Sequence, residues 1–276
     1  MNILFCGDEN IADGVIISML SLLEHAKDTL NIYLLTATVE NEDRQFKSLS
    51  VKFADFLDGV VKKHNAANTV KLFDISELFS KELPVANMDT RFTPCCMLRL
   101  FADLVDELPQ KILYLDNDII CQSDPSDFYN TDLQGAELAG CLDYYGSWLF
   151  KKSPLGRDYL NSGVLLLDLC KIKETGLFEN CRKRCRNTKM FMPDQSSINK
   201  LTKKKLIIPR KYNEQRRLHK DTVFRHFTTS FRVFPWIHTV SVKPWDIDGM
   251  HKILKTTEYD SLLQNYLSLK QDYLGE

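Results

Sequence analysis

Short apolar runs of strand character alternate with longer segments of helical periodicity through the first half of this 276-residue chain, and that alternation limits its architecture more than any other feature. NILFC (Asn2–Cys6) is a strand-like run opening into the polar turn Gly7–Asn10, and Ala12–His25 reads as a mostly apolar helix. LNIYLLT (Leu30–Thr36) is rich in β-formers. Asn41–His64 sets Phe46, Leu49, Phe53, Phe56, Leu57 and Val60 at helical spacing. Val70–Phe73 predicts a third strand, Thr93–Leu108 a helix, and ILYLDNDII (Ile112–Ile120) a strand broken by polar residues. Such an order buries its apolar faces as a mostly parallel sheet with helices on both sides. In sheets of that kind ligands bind beyond the carboxyl ends of the strands. Both polar interruptions, Gly7–Asn10 and Asp116–Asp118, fall there.

The second half is less regular. GVLLLDL (Gly163–Leu169) predicts a buried strand, followed by a charged helix to about Asn187, and Lys203–Pro209 predicts another short strand. From Asp221 onward His, Thr, Phe, Pro and Trp crowd without periodicity, until Ser261–Tyr273 reads as a short helix. No repeat, low-complexity tract or Gly/Ser linker divides the chain, so one domain over residues 1–276 is expected.

With 44% hydrophobic and 26% charged residues, disorder and coiled coil are excluded as whole-chain descriptions. A net charge of −1 offers no global field to draw in nucleic acid, and no nucleic-acid partner is expected. The apolar run Gly14–Leu23 is ten residues long, against the ~20 a membrane span requires. Asn2–Glu9 has no Lys or Arg, so a secretory leader is not expected there. The expected location is cytoplasmic, where the eight cysteines stay reduced. Cys6, Cys141 and Cys170 sit in apolar runs and read as small core residues. Cys181 and Cys185 lack the second pair that a zinc site needs.

Asp116-Asn117-Asp118 is the main chemical signal. Ile112–Leu115 precede it and Ile119 and Ile120 follow. Carboxylates at the end of an apolar strand are costly to bury unless compensated. If the strand continues through them, both point to one face and can share a divalent cation, for which hard oxygen ligands suit magnesium or manganese. Such an ion keeps sites open for a diphosphate. A polar turn whose aspartates cap a following helix fits the same residues, and Asp-x-Asp alone does not separate the two.

Five segments in sequence order carry a resemblance to the family 8 glycosyltransferases. ILYLDNDIICQSDPSDFYNTDL resembles the metal-binding region of that family, and MNILFCGDENIADG its opening strand and nucleotide-binding loop. YLNSGVLLLDL resembles its sugar-contacting segment, MPDQSSIN its Asp-Gln motif, and RHFTT with VKPW its closing region. The resemblance spans Met1 to about Asp246. It implies a GT-A, Rossmann-like α/β fold and a retaining, metal-dependent enzyme. That enzyme would transfer a hexose, glucose or galactose, from a UDP-sugar to a glycan or lipid-linked saccharide, as in bacterial surface-polysaccharide synthesis. It further implies a nucleotide-binding half (1–125), a sugar and acceptor half (126–250) and a helical tail (251–276).

Carried over residue by residue, the resemblance makes Asp8 the partner of uracil, Asn10 a nucleoside contact and Cys6 a donor of backbone polar groups. Arg99 would span nucleotide and metal site, against the plainer reading of a helix-surface arginine. Asp116, Asp118 and His226 would hold Mn2+ or Mg2+, with His238 the rival ligand, and Lys243 would meet the diphosphate. Asn161, Gly163 and Asp143 would surround the sugar. Asp194 and Gln195 would be catalytic, Asp194 on the sugar hydroxyls and Gln195 beneath the anomeric carbon. The plainer readings are a helix N-cap for Asp194 and an exposed helix amide for Gln195. Two positions depart from the family pattern: Ile11 stands where an aromatic is usual, and Thr229 near a usual glycine.

Rival classes remain. A UDP-sugar-binding protein without turnover would keep the same cleft. A nucleotidyltransferase would begin on a Gly-rich phosphate loop, and Gly7-Asp8-Glu9-Asn10 is not one. No Gly-x4-Gly-Lys-Ser/Thr occurs. The basic residues Lys203–Lys205, Lys211, Arg216 and Arg217 fit a solvated face or a peripheral contact with an anionic membrane surface.

Overall fold

The structure, a computed structural model, describes residues 1–40, 44–90, 93–144, 158–232 and 238–275. Its strands, in chain order, are β1 (Asn2–Cys6), β2 (Asn31–Thr36), β3 (Val39–Glu40), β4 (Gln45–Phe46), β5 (Thr69–Asp74), β6 (Lys111–Leu115), β7 (Ile119–Cys121), β8 (Leu138–Leu142), β9 (Leu160–Asp168), β10 (Lys205–Ile207), β11 (Phe224–His226), β12 (Ser230–Arg232) and β13 (His238–Val240). Seven of them form the central sheet in the order β10-β8-β9-β6-β1-β2-β5. Four adjacent pairs run parallel, and β9 runs antiparallel to both its neighbours, β6 and β8.

Strand parity builds the two layers. Ile3, Phe5, Leu113, Leu115, Val164 and Leu166 point into one layer beside helices α1 (Ala12–His25) and α2 (Val51–His64). Leu4, Ile112, Tyr114, Leu165 and Leu167 point into the other, against the 3-10 helix Pro94–Leu104 and the helix Leu177–Asn187. Apolar residues on both faces explain why the strands read as continuous hydrophobic runs.

Several sequence expectations are corrected. The helix expected over Asn41–His64 starts at Val51, where the Ser50 hydroxyl caps the Phe53 N–H at 3.1 Å; Phe46 lies in β4, and residues 41–43 are outside the described residues. Thr93–Leu108 is 3-10 rather than α-helical and ends at Leu104. Ile112–Ile120 is two strands in different sheets, because the polar residues between them form a turn. The charged helix after β9 is two helices broken at Gly176, whose φ of +67° is left-handed. Cys170 is exposed rather than in the core, since β9 ends at Asp168 and the side chain falls on the helix beyond.

The sheet directions put the chemistry at one edge. β1 and β6 are parallel, so Cys6 and Leu115 end together. β9 runs the opposite way, with Leu115 beside Val164, so its amino-terminal residues arrive at the same edge. β8, antiparallel to β9, delivers Asp143 there.

Candidate active site

A cleft of about 480 Å³ opens at this edge, with Cys6, Asp8, Asn10, Arg99, Asp143 and Lys243 among the residues lining it. Asp116 and Asp118 flank the turn after β6. β7 pairs with β11 so that Ile119 lies opposite His226, which sets the imidazole next to Asp118. His226 Nε2 is 3.2 Å from Asp118 Oδ1 and 3.8 Å from Asp116 Oδ2. The carboxylates therefore meet through a turn and a strand pairing, not through alternation along one strand. His238 begins β13, and its side chain lies outside the described residues.

The hydrogen bonds fix which nitrogen of His226 faces the carboxylates. Asn161 Oδ1 accepts the Gly163 N–H at 3.0 Å and the Asn213 amide N–H at 2.8 Å. The Asn213 oxygen therefore faces His226 Nδ1, 3.0 Å away, and Nδ1 carries the proton. That leaves Nε2 facing Asp118 Oδ1, a buried oxygen with no hydrogen-bond partner among the described residues. Lone pairs so close require positive charge between them, either a proton on Nε2 or a cation. One nitrogen and two carboxylate oxygens within 4.8 Å of one another suit a divalent metal ion. A ring held from behind by an amide is the arrangement that orients a metal-binding histidine.

Lys243 donates to Asp118 Oδ2 and, at 3.1 Å, to the Phe227 carbonyl. Burial alone would raise the Asp118 carboxyl, but Lys243 and His226 outweigh it and hold it well below the usual carboxylate range. With its side chain 32% exposed, the Lys243 ammonium has a further N–H to offer a ligand.

Arg99 is buried, which removes the helix-surface reading. Its Nη2 donates to Asp116 Oδ1 at 2.9 Å and its Nη1 to the Ser162 carbonyl at 2.7 Å, while Nε lies 3.4 Å from Asp194 Oδ2. Its guanidinium stacks 4.1 Å from the Tyr114 ring centre, and the Tyr114 hydroxyl donates to Asp116 Oδ1 at 2.6 Å. One arginine thus ties the carboxylate of the cluster to the carboxylate of the Asp-Gln pair. Burial raises the Asp194 carboxyl above its ordinary value against the pull of Arg99.

Asp194 and Gln195 stand in the first turn of the helix Pro193–Leu201, whose N-cap is Met192, so Asp194 is not the cap. Gln195 is buried, not an exposed amide. Its Oε1 accepts the Ser162 N–H at 2.9 Å and its Nε2 donates to Asp143 Oδ2 at 2.8 Å. Asn161 Nδ2 reaches the same Asp143 oxygen at 3.3 Å. A continuous chain therefore runs from His226 through Asn213, Asn161 and Asp143 to Gln195. Asn199 docks the helix onto β9 by bonding both the N–H and the carbonyl of Leu160, at 2.7 and 2.8 Å.

Asp8 is buried and caps the turn, accepting the Asn10 N–H at 2.8 Å; Asn10 is exposed at the cleft. Cys6 is half-buried, and burial pushes its thiol well above the usual range. Gly163 serves by closeness. A Cβ there would stand 2.3 Å from His226 Cε1 and 2.8 Å from Asp116 Oδ2. Sequence reasoning missed Asn213, Ser162 and Tyr114. Tyr114 carried a signal, as a phenol two residues before Asp116 in an apolar strand; Asn213 and Ser162 act through partners distant in sequence and carried none.

The model of the family described as glycosyl transferase family 8 matches residues 2–249. A lipopolysaccharide 1,2-glucosyltransferase of Escherichia coli K12 is 29% identical over 224 residues, covering 77% of this chain and 62% of that protein. A putative glycosyltransferase of Haemophilus influenzae is 24% identical over 222 residues, covering 75% of this chain and 60% of that one. The chain thus spans less than two thirds of the length of these curated relatives. Among solved structures, an active-site mutant of LgtC superposes with a TM-score of 0.69 at 16% identity, covering 99% of this chain and 96% of that one. The galactosyltransferase LgtC in complex with donor and acceptor sugar analogues gives 0.66, also at 16% identity, covering 97% and 96%. These superpositions show the GT-A fold. Together with the family match over nearly its whole length, they place the chain in glycosyl transferase family 8.

Proposed function

We propose that the chain is a retaining hexosyltransferase. It moves glucose or galactose from a UDP-sugar to a hydroxyl of a glycan or lipid-linked saccharide, with Mn2+ or Mg2+ at Asp116, Asp118 and His226. The observation that carries this reading is the joining of that cluster to Gln195 by buried hydrogen bonds in one cleft. The relatives fit it: one is named a lipopolysaccharide 1,2-glucosyltransferase, and LgtC was crystallised with donor and acceptor analogues. In this reading the protein works in the cytoplasm, peripherally at a membrane face. No helix among the described residues is long and apolar enough to cross a membrane.

When bound, the divalent ion supplies positive charge beside the diphosphate leaving group. Lys243 adds a second positive charge there, against the negative charge that grows on the β-phosphate as the glycosidic bond breaks. The transition state has oxocarbenium character. Retaining glycosidases meet it with a carboxylate nucleophile, whereas Gln195 offers an amide, a poor one. Asp194, beside it, is committed to Arg99 and lies 3.3 Å from the Ser162 hydroxyl. The acceptor hydroxyl therefore attacks from the face that UDP leaves, and its proton passes to the departing phosphate oxygen. Gln195 Oε1 is held still by the Ser162 N–H, and the Ser162 hydroxyl, 3.2 Å from it, frees a lone pair for the sugar cation when it donates to Asp194 Oδ2 instead, 3.3 Å away.

The test is UDP release from a panel of UDP-sugars with manganese, magnesium or chelator and no added acceptor. Slow hydrolysis of one sugar, abolished by chelator, is expected. Tight UDP-sugar binding with no release, even with saccharide acceptors, would assign a binding protein instead. Pyrophosphate as product would assign a nucleotidyltransferase.

A further inference from the structure

A second cavity of about 540 Å³ has Arg216, Arg217, Arg225, Thr256, Glu258 and Tyr259 in its wall. His226 and Thr228 are wall residues of both cavities, so this cavity adjoins the cleft at β11 and the residues that follow it. Among the described residues three arginines line it against one acidic side chain, Glu258.

The arginines are held in place. The carboxylate of buried Glu214 accepts the N–H groups of Arg216 and Arg217 at 2.8 and 3.3 Å, which fixes the turn that carries both. The Glu214 carboxylate itself is matched by Arg210, 3.2 Å away. Arg216 stacks 4.5 Å from the Tyr144 ring centre and donates to its hydroxyl at 2.6 Å. Arg225 donates to the Glu214 carbonyl at 3.3 Å, with its guanidinium 5.4 Å from the centre of the Phe227 ring. Among the described residues neither Arg216 nor Arg217 enters a salt bridge, so their charge is not cancelled within the fold.

Tyr259 supplies an independent observation. It is 4% exposed, and its hydroxyl is buried with no hydrogen-bond partner among the described residues. Such a group costs stability unless something satisfies it. Burial also pushes the phenol well above its usual range, so it stays an O–H donor. A donor in want of an acceptor, in the wall of a cavity that three arginines also line, matches a tetrahedral oxyanion better than a carboxylate, because phosphate has more oxygens to share among the donors.

We propose that this cavity binds a phosphate ester, a site distinct from the donor cleft. The proposal does not depend on the transfer reading. A soluble sugar phosphate and a phospholipid headgroup present the same chemistry.

The experiment titrates the full chain with glucose 6-phosphate by calorimetry and measures co-sedimentation with phosphatidylglycerol vesicles. It compares the wild type with Arg216→Ala/Arg217→Ala, Tyr259→Phe and Asp118→Asn. Glucose 6-phosphate should bind the wild type and Asp118→Asn alike. It should bind the arginine variant at least about tenfold more weakly, as expected for lost charge-assisted bonds. Tyr259→Phe should weaken binding without lowering the melting temperature, since the hydroxyl it removes has no partner among the described residues; a hydroxyl with no ligand role would leave affinity unchanged. Vesicle binding that fails in the same variants, with no glucose 6-phosphate binding, would assign the phosphate to a lipid headgroup. Binding by neither probe, or binding that the arginine variant retains and UDP displaces, would overturn the proposal. UDP affinity of the arginine variant, unchanged if its fold is intact, keeps a failure here separate from a failure of the donor-cleft reading.

Discussion

Asn213 decides how the cluster behaves, because its amide fixes both the ring of His226 and the side chain of Asn161. Asn213→Leu should weaken manganese binding by about 10–100-fold, the usual cost of removing the group behind a metal-binding histidine. Asn213→Asp keeps an oxygen for the Nδ1 proton and should retain most of that affinity. Electron paramagnetic resonance of free manganese measures both, and equal affinity in wild type and Asn213→Leu would remove Asn213 from the account. Gln195→Ala should lower kcat far more than donor affinity; equal loss in the two would give Gln195 a positioning role only. At this scale the sequence was informative where chemistry and spacing coincide. Two carboxylates beside an asparagine in an apolar run are legible. Asn213 was not, because its function exists only once β7 and β11 have paired. Arg99 and Gln195 each had a plausible surface reading that only burial removes.

The elements explain why that edge of the sheet is crowded. β6 stops at Leu115, the chain turns through Asp116–Asp118, and β7 leaves the central sheet to pair with β11. α1 lies directly behind the turn. A Cβ on Gly14 would stand 2.2 Å from the Asn117 carbonyl oxygen and 2.8 Å from the Trp245 ring. Gly14→Ala must therefore displace the turn or the helix. It should cost about 1–3 kcal/mol, as overpacking typically does, and weaken metal binding with it. Chemical denaturation together with a manganese titration checks this; a stable variant with unchanged affinity would show that the turn has room. α1 and six of the seven central strands were legible as apolar runs; β8 (Leu138–Leu142) was not read as a strand. The direction of β9 was not legible, since a strand buried on both faces reads the same whichever way it runs. The start of α2 was missed because Phe46 and Leu49 continue its apolar spacing, although the chain between them is not helical.

Across the whole molecule, a net charge of −1 conceals a separation of charge. Asp116 and Asp118 line the cleft, while Arg216, Arg217 and Arg225 line the adjoining cavity. All eight cysteines are free. Burial pushes the Cys185 thiol up to about 11 and the Cys121 thiol up to about 12, and Cys170 is the one exposed cysteine. Because the thiolate is the reactive form, iodoacetamide at neutral pH should label Cys170 first, as mass spectrometry can show; prior labelling of Cys121 or Cys185 would mean that the core opens. The central claim is that Asp116, Asp118 and His226 hold a divalent ion that carries the diphosphate. A manganese titration with and without UDP, on wild type, Asp118→Ala, His226→Ala and His238→Ala, tests it most directly. The account predicts that UDP tightens manganese binding to the wild type and to His238→Ala, and that Asp118→Ala and His226→Ala lose this binding. Wild-type affinity in His226→Ala, with the loss appearing in His238→Ala, would contradict it.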